Sequence, residues 1–559
     1  MNGTRSLCRS GLPRVRRPHR RHNPRPVPIL GALALLTVMA ACGPLDPEEP
    51  RLAVVLVVDQ LMPEHLELYG EVFDGGLGRL LDEGFRFDHA VHDHAITFTS
   101  PGHASATTGV LPARHGIVSN SWREWHDGEW VSVSSVADPE TDRVGGSGSG
   151  SSPVNLLVDG LPDWLLRDRP QARVVSLSGK STAGVLMGGR AERSTDGTDA
   201  ATGARGHRHV YWYSVGDEGF VTSSHYRNRL PSWVEEFNQG TVERFAGDGC
   251  WESELDPEVA ALSRRDTVEY EADGVHTHFP HCETSDLFRS PSHFISRTPA
   301  LDQATLALAR EAVRHLELGQ GEAPDYLAVA LSATDRVGHS FGPYSREQLD
   351  NLVRLDTELE SFFYFLDETV GRDRYVVALT SDHGVLPLPE YLQEQGEFGL
   401  RLTGELSDSL RAAAQGLERL GAQFQGPEAE EARAELAIRL EEVDWIEEAM
   451  PLEVLASDEP ADSMVVLYRN SFHPERLWSR VATYGVETRL TEGVLVRSTG
   501  TTHGVPYLHD RRVPLIFMGR GIEAGSSPTS ARTVDLAPTL ARILGVPVPE
   551  GLDGRVLLP

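Results

Sequence analysis

The run Leu52-Ala-Val-Val-Leu-Val-Val-Asp59 is unbroken, apolar and rich in β-branched residues, and it ends on a carboxylate. A strand covered by helices on both faces has this pattern, whereas a strand with one wet face alternates. The same grammar recurs at Arg173-Val-Val-Ser-Leu177, Tyr326-Leu-Ala-Val-Ala-Leu331 and Tyr375-Val-Val-Ala-Leu379. Helical spacing of apolar residues fills 300–316 and 347–366, and 75–81 reads as a helix start. The expected fold is α/β: a mostly parallel, doubly wound sheet flanked by helices, with cap insertions. In such a sheet ligands bind beyond the carboxyl ends of the strands. Asp59, Lys180, Asp335 and Asp382 each lie just past one of those ends.

The chain of 559 residues can bury a large core. Residues 1–41 hold eight Arg and no acidic residue, and the apolar run 27–41 stops at Cys42. This is an export signal, too short for a confident membrane span. The small residues before Cys42 match a bacterial lipobox, although Met39 stands where Leu is usual. The expectation is an exported lipoprotein of the bacterial envelope, tied to the membrane only by its N-terminal lipid, with residues 43–50 as a linker. The formal charge of −30 excludes a nucleic-acid polymer as partner. Cys250 and Cys282 are then expected to pair in an oxidising compartment. Lys180 is the only lysine, in a chain that otherwise uses Arg for every positive side chain. A compact point charge, where a planar fork will not serve, explains it best.

Upstream of the second strand, Thr97 to Asn120 reads TFTSPGHASATTGVLPARHGIVSN. Ser100-Pro101-Gly102 breaks an extended run and opens a small-residue helix whose free N–H groups suit an anion. Thr99 is the candidate nucleophile at that turn. His103 reads as a packing residue beneath it, and His89, His92 and His94 as loop histidines outside the site.

Residues 122–298 lack clear period and are expected to form a cap over a substrate cleft, with the Gly/Ser tract 145–152 as a loop. Residues 402–449 read as an acidic helical insertion. Met464-Val-Val-Leu-Tyr468 and the stretch 486–497 read as strands of a hairpin-bearing region, and Asp535 as the cap of the closing helix.

Asp335-x-x-x-His339 offers two metal ligands from one helical turn, and Asp382-His383 two from one loop; Asp59 and His503 complete three Asp and three His. Such donors suit zinc best. Six exceed what one tetrahedral ion uses, and two ions about 4 Å apart would clamp the attacking and leaving oxygens of a phosphoryl displacement. The set, together with TFTSPGH and HGIVSN, resembles the alkaline phosphatase superfamily. It is most similar to the Thr-nucleophile branch of phosphate-irrepressible alkaline phosphatases and nucleotide pyrophosphatase/phosphodiesterases. The likeness runs from about residue 52 to the C-terminus. It implies one zinc on Asp335, His339 and His503, and a second on Asp59, Asp382 and His383 with Thr99. It also implies phosphoryl contacts from Asn120 and from Lys180. The family's Lys-x-Arg pair is broken, because Thr182 stands at the Arg position; Arg190 and Arg193 are the nearest substitutes in sequence.

The reading is thus an exported di-zinc phosphatase of small phosphate monoesters that works through a phosphothreonine on Thr99. A phosphodiesterase or nucleotide pyrophosphatase on the same scaffold is the alternative that Thr182 favours. A non-catalytic binding lipoprotein is a third reading. A sulfatase is disfavoured, since Thr99 cannot become the formylglycine that chemistry needs.

Overall fold

The computed structural model describes residues 49–190, 207–271, 274–282 and 287–558. The signal segment, the lipobox and Cys42 lie outside the described residues. An 11-stranded sheet organises the rest. Its strands in chain order are β1 (Leu52–Val58), β2 (Phe85–Val91), β3 (Ala137–Val144), β4 (Ser149–Ser151), β5 (Val174–Ser178), β6 (Arg208–Ser214), β7 (Gly219–Ser223), β8 (Asp325–Leu331), β9 (Tyr375–Thr380), β10 (Leu515–Gly519) and β11 (Gly525–Arg532). Across the sheet they run β11-β2-β10-β9-β1-β8-β5-β6-β7-β3-β4. The centre, β9-β1-β8-β5-β6, is parallel, as the continuous apolar runs require. Antiparallel pairs bring in β10 and β7 on either side, so the sheet is mixed at its edges.

Every residue of β1 is fully buried, and its two faces feed different cores. Leu52, Val54, Leu56 and Val58 pack with the helices Ala300–His315 and Arg346–Leu366. Ala53, Val55 and Val57 pack with Leu161–Asp168 and Leu536–Ile543. Two-sided burial of this kind is the doubly wound arrangement, and each large aliphatic side chain contributes roughly 1.5–3 kcal/mol.

The flanks depart from the sequence reading. Residues 122–298 are not all cap: besides β5, which the sequence already marks as a strand, β3, β4, β6 and β7 fall inside that stretch and widen the central sheet. Buried aromatics on β6 and β7, among them Tyr211, Tyr213 and Phe220, carry that extension. Part of the Gly/Ser tract is the short strand β4, paired with β3. Cys250 and Cys282 form a disulfide between two short antiparallel strands. The acidic insertion does hold the helices Glu405–Ala413 and Pro427–Glu441. It extends past residue 449, since Ile446–Pro451 pairs with Val486–Leu490 over a small core of its own. Met464 to Tyr468 is helical, within Ser463–Ser471, because the Asp462 carboxylate caps the N–H groups of Met464 and Val465. The two strands within 486–497 form no hairpin with each other: Val494–Val496 pairs instead with Leu400–Leu402. The Asp535 carboxylate does not cap the closing helix. It accepts from the N–H groups of Arg532 and Arg555 and ties the C-terminal segment down.

Several histidines are held neutral inside. His65 Nδ1 accepts from Met62 N–H and its Nε2–H donates to the Pro343 carbonyl; burial lowers its pKa to about 4. His115 Nδ1 accepts from Ile117 N–H, and burial followed by the Arg476 charge lowers it to about 3. A folded-state pKa below the unfolded value stabilises the protein above the unfolded pKa, and that stability is lost as pH falls toward the folded one. Stability is therefore expected to hold above about pH 6.5 and to fall on acidification, by about 1.4 kcal/mol per such histidine at pH 5.5. Urea unfolding of metal-stripped protein at pH 7.5 and 5.5 checks this. His65→Gln should lose less stability than wild type over that interval, and an equal loss would show that His65 does not contribute.

Candidate metal and phosphoryl site

Four neighbouring parallel strands deliver the site. β1 runs out into Asp59, β5 into Lys180, β8 into the helix Ala333–Phe341 that carries Asp335 and His339, and β9 into Asp382 and His383. The Asp302 carboxylate receives the N–H groups of Ser332 and Ala333 and so fixes where that helix starts. His503 comes from the loop after Val494–Val496. Thr99 opens the helix Thr99–Thr108 and is 4% exposed. Gly102 on that helix lies against Asp382, where an added Cβ would meet the Asp382 carbonyl oxygen at 2.2 Å. Only glycine lets the helix come this close.

The imidazoles share one orientation. Nδ1–H of His339 donates to the Thr501 carbonyl at 2.8 Å, that of His383 to Gly384 at 3.0 Å, and that of His503 to Thr97 at 2.7 Å. A carbonyl can only accept, so each ring carries its proton on Nδ1 and turns an Nε2 lone pair the other way. His339 Nε2 is 3.1 Å from Asp335 Oδ1 and His503 Nε2 3.8 Å from the same oxygen. His383 Nε2 is 3.5 Å from Asp59 Oδ1 and 3.4 Å from Asp382 Oδ2. Ligand atoms of Asp59, Asp382 and His383 lie within 4.8 Å of one another, as do those of Asp335, His383 and His503. His383 thus belongs to both groups, while His339 stands at the more open edge. Asp59 Oδ1, Asp382 Oδ2 and His383 Nε2 are buried without a hydrogen bond. Acceptors gathered this way, with their outer nitrogens pinned to carbonyls, fit divalent cations.

The charges agree. Burial, then the Asp335 and Asp382 carboxylates, push the Asp59 carboxyl well up. Asp335 and Asp382 are held low: burial opposes ionisation in both, and the Lys180 ammonium is a lowering charge beside each. The Lys180 ammonium bridges two of the three, 2.5 Å from Asp59 Oδ2 and 2.6 Å from Asp335 Oδ2. Asn120 Oδ1 accepts from Ser100 N–H, which leaves its Nδ2 hydrogens as donors. Thr182 sits half-buried in the first turn of the helix Ser181–Met187. Arg190 does not reach back: it is exposed and faces Asp159. Arg193 lies outside the described residues.

Two residues of the site were missed by the sequence reading. His103 is more than packing, since its Nδ1 lies 2.9 Å from the Thr99 carbonyl and 3.2 Å from Asp382 Oδ2, linking the Thr99 turn to a site carboxylate. Its place four residues after Thr99 was the available signal. Gln60 adopts φ 70° and directs N–H to Asp382 Oδ1 and Nε2 to Asp335 Oδ1. Nothing but adjacency to Asp59 marks it.

Known proteins share this arrangement across nearly the whole chain. Alkaline phosphatase PhoV of Synechococcus elongatus is 29% identical over 93% of this chain and 94% of its own length. Alkaline phosphatase PafA of Elizabethkingia meningoseptica is 29% identical over 94% and 97%. The solved structure of wild-type PafA superposes with TM-score 0.79 at 27% identity, covering 91% of this chain and 98% of that one. A further PafA structure carries substitutions at a Thr and an Asn spaced as Thr99 and Asn120 are here, and at a Lys and an Arg two positions apart. The model of the Type I phosphodiesterase / nucleotide pyrophosphatase family matches residues 53–478, and the chain belongs to that family.

Proposed function

We propose that this chain is an exported, metal-dependent hydrolase of small phosphate esters that prefers monoesters, with two zinc ions and Thr99 as nucleophile. The observation that carries the reading is the shared orientation of three imidazoles, each proton-anchored to a backbone carbonyl with Nε2 facing three buried aspartates. Asp335, His339 and His503 would hold one ion, and Asp59, Asp382 and His383 with the Thr99 hydroxyl the other. Bound there, the ions supply Lewis acidity, which lowers the pKa of the hydroxyl and balances charge on the leaving oxygen.

The chain's own residues do the rest. Thr99 Oγ1 forms a bond to phosphorus as the ester oxygen leaves in line; the hydroxyl proton passes to solvent and the leaving oxygen takes one up. Water then attacks the phosphothreonine, frees phosphate and restores the hydroxyl. Asn120, its carbonyl oxygen fixed by Ser100 N–H, donates Nδ2–H to a phosphoryl oxygen. Lys180 now serves Asp59 and Asp335. With metal ions held by those carboxylates, the Lys180 ammonium would be free to turn to phosphate. Thr182 offers a hydroxyl there but no charge. That favours the second reading, a phosphodiesterase, because a diester carries one negative charge where a monoester carries two. The intact nucleophile and donor set speak against a merely binding lipoprotein.

Thr99→Ala should lower turnover of any ester by about 10³-fold or more while zinc content stays at two per chain, and a chelator should abolish activity that added zinc restores. Full activity in either experiment would sink the nucleophile or the metal assignment respectively. The ratio of kcat/KM for an aryl phosphate monoester and its methyl aryl diester, on zinc-loaded protein lacking residues 1–42, is expected to favour the monoester; the reverse would establish the diesterase reading. Cys42→Ala should move the exported protein from the membrane to the soluble fraction. Retention in the membrane fraction would rule out a lipid anchor on Cys42.

A further inference from the structure

The sequence Trp125-His-Asp-Gly-Glu-Trp130 turns a hairpin on two residues. Asp127 and Gly128 take φ 48° and 91°, the pair of positive values that a tight two-residue turn needs. The strands Ser121–His126 and Glu129–Ser134 then set Trp125 directly opposite Trp130, so both indoles stand on one face of the ribbon. Their ring centroids are 5.2 Å apart and their planes 71° apart, which makes a corner of two aromatic walls. Trp130 is half-buried, and its Nε1–H donates to Gln423 Oε1 at 3.1 Å. Trp125 is 46% exposed. An aromatic pair stabilises a hairpin by roughly 0.2–1 kcal/mol, but that role does not require one ring to stand open beside a cavity. Here the corner lines a cavity of about 510 Å³ whose other walls come from residues 422–425 and 474–477.

The lining selects the class of ligand. Glu124 is already matched, by Trp122 Nε1–H and by His126, and Arg476 gives Nη1 hydrogens to the Gly116 and Asn155 carbonyls with its guanidinium over Trp122. An anion therefore finds these cations engaged. Gln423 Oε1 is taken by Trp130, so its amide hydrogens are the donors that remain. Gln425 and Glu475 are exposed and, among the described residues, their side chains make no hydrogen bond or salt bridge. Two amides and a carboxylate beside an aromatic corner suit a sugar: a pyranose ring offers an apolar C–H face to an indole and a rim of hydroxyls to planar polar groups. The volume is that of a small-ligand site. It is not the phosphoryl site, for Trp125 lies five residues beyond Asn120, roughly 17 Å along the strand. We infer that this corner binds a neutral oligosaccharide, independently of the reaction proposed above.

Calorimetry on the full chain tests this, with cellohexaose, maltohexaose and N-acetylchitohexaose as probes and choline chloride beside them. At least one hexasaccharide should bind and quench indole fluorescence. Trp125→Ala should weaken that binding about tenfold or more, and Trp125→Phe should lose less, while thermal melting stays as in wild type. If Trp125→Ala melts early, Gln425→Ala decides, because that exposed side chain holds no other part of the fold: binding weakened about threefold or more supports the site, and unchanged affinity refutes it. Binding that survives a well-folded Trp125→Ala undiminished, or binding of no hexasaccharide, overturns the inference. So does binding of choline in their place, which would assign the aromatic corner to a cation. None of these readouts uses ester turnover, so failure of the phosphatase reading leaves the test standing.

Discussion

Three carboxylates confined to one buried volume set the terms for the rest of this structure. Ligand oxygens of Asp59 and Asp382 lie within 4.8 Å. At about that separation two full charges repel by roughly 3 kcal/mol at an effective dielectric near 20. Asp335 adds a third charge to the same space, and burial penalises each of them. The arrangement persists only where compensating groups converge. Lys180 neutralises one charge across Asp59 and Asp335, His103 reaches Asp382, and Gln60 donates to Asp335 and Asp382. The donors still unmatched, Asp59 Oδ1 and His383 Nε2, are buried within the site. A cation is the natural complement to that residue of negative charge, as the second layer of carbonyl-anchored imidazoles also indicates.

The sheet is what makes the convergence possible. β9, β1, β8 and β5 are consecutive and parallel, so their carboxyl ends present Asp382, Asp59, Asp335 and Lys180 in one row. Parallel order demands crossover helices on both faces, and the two-sided cores around β1 provide their seats. The Thr99 turn must then come to this row from outside. Gly102 allows the approach, and His103 locks it by touching both the Thr99 carbonyl and Asp382.

Much of this was legible in the sequence. Strands buried on both faces announce themselves as continuous β-branched runs, and the residue just past each run falls at the ligand-binding edge. That is why Asp59, Lys180, Asp335, His339, Asp382 and His383 could be read directly, and the helices at 300–315 and 346–366 with them. Edge strands gave no such signal. β3, β4, β6 and β7 lack a continuous β-branched run, and they were taken for cap. Met464 to Tyr468 is apolar enough for strand or helix, and only the Asp462 carboxylate, bonded to two amide hydrogens, decides for helix. Gln60 was invisible for another reason: its significance lies in what it faces, Asp335 and Asp382, and sequence spacing does not report it.

The charge of the chain as a whole bears on how such a site can take an anion. A net charge of −30 ought to repel a phosphate ester. Yet the Debye length is about 8–10 Å in physiological salt, so exposed carboxylates beyond that distance count for little at the site. What counts is the charge within it, and there the Lys180 ammonium lies against Asp59 and Asp335. The helix Ala333–Phe341 brings Asp335 and His339 to that ammonium, and its start is fixed by Asp302.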